Sequence, residues 1–148
     1  MNISIRNLEP DDFESLVRLF KEFALFEKQP EKMTNSLEQM QLEKVYVNGF
    51  VAVSDANEII GYATYFFAYF TWIGKSLYMD DLYVKQAHRG KGIGTKLINS
   101  IIDFAKAENC KKLRWQVSEW NQPAIDFYKS LGAVISPIES NCDLILHE

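Results

Sequence analysis

The stretch Arg89-Gly90-Lys91-Gly92-Ile93-Gly94-Thr95 constrains this chain more than any other. It follows a run that alternates as a strand does, Leu77 to Val84, and precedes a run with helical spacing, Thr95 to Glu108. Glycines at such a junction permit backbone conformations closed to other residues. The helix N-terminus leaves unpaired N–H groups close together, at the positive end of the helix dipole. That arrangement attracts a phosphate or pyrophosphate. It also implies an α/β fold, because the helix joins two strands that should be parallel.

Two familiar phosphate loops fail on register. A Walker loop needs a second glycine five positions after the first, and from Gly90 that position is Thr95. A dinucleotide fingerprint needs Gly-x-Gly-x-x-Gly, and its last position falls on Thr95 or Leu97. An ATPase and a Rossmann enzyme are both disfavoured.

The rest of the chain supplies the other elements. Ile3 and Ile5 alternate with polar residues as a short strand does. Glu9-Pro10-Asp11-Asp12 opens a helix, and Phe13, Leu16, Val17, Leu19, Phe20, Phe23 and Ala24 carry its apolar face to about Glu27. Thr34-Asn35-Ser36 with Glu38 is a capping signal for a second helix, to about Glu43. Phe50 to Ser54, Ile59 to Phe70 and Leu77 to Val84 are separated by short turns, which predicts an antiparallel meander. After the helix over 95–108, Lys112 to Val117 is a strand candidate. Asn121-Gln122-Pro123 starts a last helix that runs to Leu131, with Gly132 at the position of a C-cap glycine. Ala133 to Ser136 and Cys142 to Leu146 could close the fold as a hairpin.

Length and charge bound what these elements serve. The 148 residues suit one domain, 1–148, with no linker or repeat. A net charge of −4 argues against nucleic acid as a partner and is compatible with a cationic one. Lys111, Lys112 and Arg114 form the only basic cluster and are expected at a solvated strand edge. Cys110 and Cys142 have no metal-ligand spacing, so no metal is expected, and free thiols in a reducing compartment are. No apolar run reaches the roughly 20 residues that span a bilayer. The N-terminus has no signal-peptide pattern, so the expected location is cytoplasmic, with no membrane partner. His88 and His147 have no partner pattern and are expected at the surface.

What remains of the loop is Arg-x-x-Gly-x-Gly, in Arg89, Gly92 and Gly94. With Leu77-Tyr78-Met79-Asp80-Asp81-Leu82-Tyr83-Val84 before it and Asn121-Gln122-Pro123 to Phe127-Tyr128-x-x-x-Gly132 after it, the chain resembles the GNAT N-acetyltransferase superfamily. The stretch Ile60 to Thr95, the turn Trp72-Ile73-Gly74-Lys75, Lys21-Glu22, Phe26-Glu27 and Glu119-Trp120-Asn121 are similar to its diamine (spermidine/spermine) and thialysine branch. The resemblance implies one α/β domain. Its mixed, mostly antiparallel sheet would have about seven strands, splayed at the acetyl-CoA site and flanked by about four helices.

The resemblance also implies a chemistry. Acetyl-CoA would be the co-substrate, held by Leu82, Tyr83 and Val84 along the pantetheine arm and by Arg89, Gly90, Lys91, Gly92, Ile93, Gly94 and Thr95 at the pyrophosphate. Asn121 would contact the coenzyme, although as the N-cap of its helix it would look the same in sequence. The acceptor is a primary amine, whose ammonium has a pKa near 10 and has to lose a proton before it attacks. Tyr128 matches the catalytic tyrosine that protonates the leaving thiolate, and Asp80 matches the position of the base or water-holder. Phe26, Glu27, Trp72, Asp80, Asp81 and Glu119 are the candidate substrate contacts. Asp80 and Asp81 point to opposite faces of a strand unless a bulge intervenes.

The sequence departs from the polyamine branch twice, with aspartate for glutamate at position 80 and with Phe70 where that branch carries an acid. The expected acceptor is therefore a small cationic metabolite: a polyamine, a diamine or a lysine-like amine. Direct attack in a ternary complex is the expected route. A protein lysine or N-terminal acetyltransferase and a non-catalytic acetyl-CoA sensor are the alternatives. The aromatic run 62–72 is expected in the core and at a subunit interface, and a homodimer is implied by the resemblance.

Overall fold

The computed structural model describes residues 2–146. Two compact units divide the chain, Met1–Trp115 and Gln116–Glu148.

The first unit is a five-stranded sheet in the order β1-β2-β3-β4-β5. The strands are β1 (Ser4–Asn7), β2 (Asn48–Val53), β3 (Ile59–Phe70), β4 (Gly74–Val84) and β5 (Leu113–Arg114). β1 to β4 pair antiparallel, and β5 runs parallel to β4. The helices of this unit are α1 (Phe13–Phe26), α2 (Leu37–Leu42) and α3 (Ile93–Ala107). The parallel β4–β5 pair with α3 as its connection is the crossover expected from the glycine loop.

The helices start where their caps place them. A 3₁₀ turn over Pro10–Asp12 leads into α1, with Glu9 and Asp12 forming a reciprocal capping box. Ser36 accepts a hydrogen bond from the Gln39 N–H and so fixes the start of α2. The α1–α2 side of the sheet buries Phe13, Leu16, Leu19, Met40, Val51, Val53, Tyr62 and Tyr83 in one cluster. Each large apolar side chain removed from water in this way contributes about 1.5–3 kcal/mol. The other side is covered by α3, whose Leu97, Ile98 and Ile101 are buried. Phe104 of α3 meets Tyr65 and Phe67 there, at ring distances of 4.8 and 5.9 Å. Gly61 lets α3 approach: a Cβ on it would stand 2.9 Å from the Tyr83 carbonyl and 3.3 Å from Leu97.

The second unit contains α4 (Gln122–Ser130), capped at its start by the Asn121 side chain, which accepts from the Ala124 N–H at 3.3 Å. Its end is closed by Gly132 at φ +90°, with the Gly132 and Ala133 N–H groups returning to Lys129 and Tyr128.

The sheet is smaller than the expected seven strands. The hairpin over 133–136 and 142–146 is not formed among the described residues, and Val134, Leu144, Ile145 and Leu146 are exposed. Alternation marks what a strand needs on its faces, but a strand exists only with a ladder partner. Here α4 is the only regular element of its unit among the described residues. The strand over 112–117 is reduced to Leu113 and Arg114, which pair with Leu77 and Tyr78 alone.

Candidate active site

A bulge in β4 builds the site. Asp81 pairs with Thr64 and Met79 with Tyr65, which leaves Asp80 as an extra residue. A bulge bends and twists its strand. β5 pairs with β4 only before the bulge, so the β4 edge from Met79 to Val84 has no strand partner on that side among the described residues. Leu82 and Val84 turn their backbone groups to this edge, where the Val84 carbonyl accepts from Arg89 Nε. The bulge removes the strict alternation between Asp80 and Asp81, and the charge of Asp80 raises the pKa of Asp81, Tyr62 and Tyr78.

Among the described residues no ion pair joins Asp80 or Asp81 to a cation. Burial pushes the Asp81 carboxyl up to about 7, and the charges of Asp80 and Glu27 push the same way. The Tyr62 hydroxyl donates to Asp81 at 3.2 Å and opposes that shift. Asp80 is exposed, yet desolvation by its surroundings raises its pKa as well. Burial and the mutual repulsion of neighbouring carboxylates both favour the protonated form.

The C-terminal end of α1 closes one side of this face. Glu27 caps α1 and acts on Asp81. Tyr83 donates to Glu22 at 2.6 Å, and burial followed by that bond raises its pKa to about 12. The Arg89 guanidinium lies 4.5 Å from the Phe26 ring and 5.4 Å from the Tyr83 ring, with Nε donating to the Val84 carbonyl at 2.9 Å.

Beyond Arg89 the loop has the form of an anion cradle. Gly90 and Gly92 are left-handed, at φ +78° and +80°, with no atom within 4 Å of where a Cβ would stand. α3 begins at Ile93, two residues earlier than the spacing predicts, so Gly94 and Thr95 lie in its first turn. Gly92 is its N-cap and offers no side-chain acceptor, and the first intrahelical bond is from Lys96 N–H to the Gly92 carbonyl at 3.1 Å. The N–H groups of Ile93, Gly94 and Thr95 therefore face outward without an intrahelical acceptor. Open space, left-handed glycines and an uncapped N-terminus fit a pyrophosphate.

Not every expected residue gathers here. Phe26, Glu27, Asp80, Asp81, Tyr83 and Arg89 are brought together within the first unit. Trp72 sits at the β3–β4 turn with its side chain almost wholly in solvent, at the far end of β4 from the acid pair. Tyr128, Asn121 and Glu119 belong to the second unit, where Tyr128 is buried and packs on Phe127, and Glu119 is exposed. His88, expected at the surface, is half-buried, and its Nδ1 has no hydrogen-bond partner among the described residues. His147 lies outside the described residues. Among the described residues no group of three His, Cys, Asp or Glu could hold a metal ion, and no helix is long and apolar enough to cross a membrane. Cys110 and Cys142 are both free.

Sequence reasoning passed over contacts of Tyr62 and Arg114. Tyr62 was assigned to the core, where its ring is; only the pairing register shows that its hydroxyl reaches Asp81. Arg114 is exposed on the edge strand β5, as expected, and its guanidinium lies 4.4 Å from the Phe70 ring.

The acetyltransferase (GNAT) family model matches residues 8–133. The chain belongs to the GNAT acetyltransferase family. It is similar to the thialysine N-epsilon-acetyltransferase of Bos taurus, 35% identical over 88% of this chain and 84% of that protein. The Caenorhabditis elegans protein of the same description is 32% identical, over 90% of this chain and 84% of its own length. Among solved structures, an aminoglycoside acetyltransferase from an uncultured soil metagenomic sample has the same fold. It superposes with a TM-score of 0.80 over 98% of this chain and 100% of that one, at 22% identity. GNAT acetyltransferases use acetyl-CoA as co-substrate, and this chain is an acetyl-CoA-dependent N-acetyltransferase.

Proposed function

We propose that this enzyme moves the acetyl group of acetyl-CoA to a primary amine of a small cationic metabolite (a polyamine, a diamine or a lysine-like amine) by direct attack in a ternary complex. Residues 1–148 would act as one catalytic domain. The observation that carries this reading is the adjacent pair Asp80–Asp81 at the β4 bulge, on the same strand as the open backbone edge and just before the glycine loop. The thialysine acetyltransferase relatives support the acceptor class.

Each residue has a task. Gly90 to Thr95 hold the pyrophosphate through backbone N–H groups, with Lys91 adding charge, and the free edge at Leu82 to Val84 pairs with the pantetheine arm. When bound, acetyl-CoA supplies a thioester carbonyl that an amine can attack. Asp80, Asp81 and Glu27 attract the incoming ammonium. Asp81, with a pKa of about 7, suits a base that works at neutral pH, because proton transfer is most efficient when the pKa lies near the working pH. Asp80 holds the amine, or the water through which its proton passes. As the C–N bond forms and the C–S bond breaks, the amine's proton goes to the acid pair and the Tyr128 hydroxyl gives its proton to the leaving sulfur. Asn121 and Glu119 are assigned to the coenzyme and to the acceptor. Trp72 is retained as an acceptor contact only if the hairpin turn meets a second copy. Exposed Phe66, Phe67, Tyr69 and Trp72 on that hairpin support a homodimer.

The test is release of coenzyme A thiol with a panel of amines: spermidine, putrescine, lysine analogues, aminoglycosides and lysine peptides. Turnover is expected on a small amine. Acetyl-CoA binding with no turnover on any of them would leave the sensor reading in its place.

A further inference from the structure

The last turn of α1 brings Glu27 to the acid pair, and a short chain of contacts runs from that turn to the glycine loop. Glu22 accepts from the Tyr83 hydroxyl at 2.6 Å, and Phe23 stacks on the Tyr83 ring with centroids 5.0 Å apart. One turn after Glu22, Phe26 faces the Arg89 guanidinium, whose carbon is 4.5 Å from the ring centroid. Leu25 and Phe26 are exposed, so this end of the helix has little apolar burial to fix it. Glu27 follows directly as the helix C-cap, and its charge reaches Asp81.

Arg89 is the joint between that turn and the loop. It stands directly before Gly90, which is left-handed. Its guanidinium is oriented on three sides: by the Phe26 ring, by the Tyr83 ring at 5.4 Å and by the Val84 carbonyl, which accepts from Nε at 2.9 Å. Such a site uses the flat face and the fixed N–H directions of a guanidinium, which a lysine ammonium does not have. Three residues after Arg89, Gly92 caps α3 and the outward N–H groups begin. The start of the anion cradle is thus gripped by a ring from the helix that bears Glu27.

We propose that Arg89 is a positioning residue that couples the two substrate sites: held by Phe26, it ties the end of α1 to the loop that takes the coenzyme, so that each substrate binds more tightly when the other is present. The physical basis is shared ordering. A pyrophosphate on the Ile93, Gly94 and Thr95 N–H groups restrains the loop and with it Arg89. An ammonium against Glu27 restrains the end of α1 and with it Phe26. Whichever ligand binds second finds the Arg89–Phe26 contact already fixed and loses less conformational freedom. By linkage the factor is the same in both directions. The coupling rests on the acetyl-transfer reading above and adds to it a dependence of one site on the other.

The experiment is calorimetric titration of the full chain with coenzyme A, which binds without reacting, alone and in the presence of lysine or of spermidine. In the wild type at least one of these amines is expected to lower the coenzyme A Kd by roughly 2- to 5-fold, the size of an exposed cation–π contact. Phe26→Leu and Arg89→Lys should each abolish that tightening, and the double variant should lose no more than either single one. Phe26→Trp keeps a ring over the guanidinium and should keep the tightening, which a general loosening of α1 would not allow. If Arg89 served only as a phosphate ligand, Phe26→Leu would leave the tightening intact, and that result overturns the coupling. A wild-type Kd that neither amine moves, although one of them is acetylated, also overturns it and leaves acetyl transfer standing. A Kd that neither amine moves, with no thiol release from acetyl-CoA by either, overturns both.

Discussion

Two aspartates lie near opposite ends of α1, and the sheet treats them in opposite ways. Asp12, at the start of the helix, is buried, and Arg6 grips it with two hydrogen bonds of 2.8 and 2.9 Å while the Glu9 N–H donates a third. Those bonds hold its carboxyl below the ordinary carboxylate value of 3.8. Asp81, near the helix end, has a tyrosine, another aspartate and a glutamate for neighbours, and its carboxyl rises to about 7. Asp12 is satisfied and inert; Asp81 is charged only at a cost and is ready to exchange a proton. The contrast also shows why cavity size is a poor guide here. A cavity of about 660 Å³ opens beside Asp12 and Arg6, among groups already paired with each other. The acid pair sits on an open face.

The contrast sets expected outcomes, the largest first. Asp81→Asn should lower kcat/KM for the amine about 100-fold or more, the usual scale for losing a general base, whereas Asp12→Asn should leave the activity of the folded fraction unchanged. If steady-state kinetics showed equal losses, the division of roles would fail. Asp12→Ala should cost about 2 kcal/mol of unfolding free energy in urea, since it strands the half-exposed Arg6 and an N–H of the capping box. Loss below 0.5 kcal/mol would make Asp12 an ordinary surface acid.

The pH dependences should also oppose each other. The Asp12 carboxyl has a lowered pKa, so its contribution is complete above about pH 4 and fades as pH falls through its folded pKa. The Asp81 pKa is raised, so the folded state binds the proton more tightly and stability declines as pH rises from about 4 to about 7. Asp81→Asn should therefore stabilise the protein at pH 8 by about 2 kcal/mol, half of what the full shift corresponds to because the carboxyl is partly open to water. Denaturant melts at pH 5 and pH 8 would measure this, and a gain that is the same at both would contradict it. The smallest effect is expected from Tyr62→Phe. Losing a bond that favours the Asp81 carboxylate should move the acidic limb of the pH–rate profile upward by about half a unit. A downward move would reverse the assigned sign.

Much of the fold was legible because it follows from local chemistry. The Ser36 cap, Gly132 at the end of α4 and the long β3–β4 hairpin all stand where turn and capping residues placed them. The loop was legible because Arg89, Gly92 and Gly94 hold a spacing that nucleotide loops do not. The last hairpin failed because strand pairing is a relation between segments, and nothing in 133–146 states whether a partner is present. Asp80 and Asp81 were visible as acids, but the loss of strict alternation between them depends on one extra residue in β4, which only the register against Thr64 and Tyr65 reveals. The contact of Arg114 with Phe70 was hidden for the same reason: the two lie 44 residues apart in the chain.

The most direct measurement of the central claim is the rate of thiol release from acetyl-CoA against pH, with lysine as acceptor, for the wild-type enzyme and Asp81→Asn. The expected result is turnover with a rise in kcat/KM centred near pH 7 in the wild type, and both the rate and that rise lost in the variant. Acetyl-CoA binding without turnover, or an identical profile in the two proteins, would contradict the account.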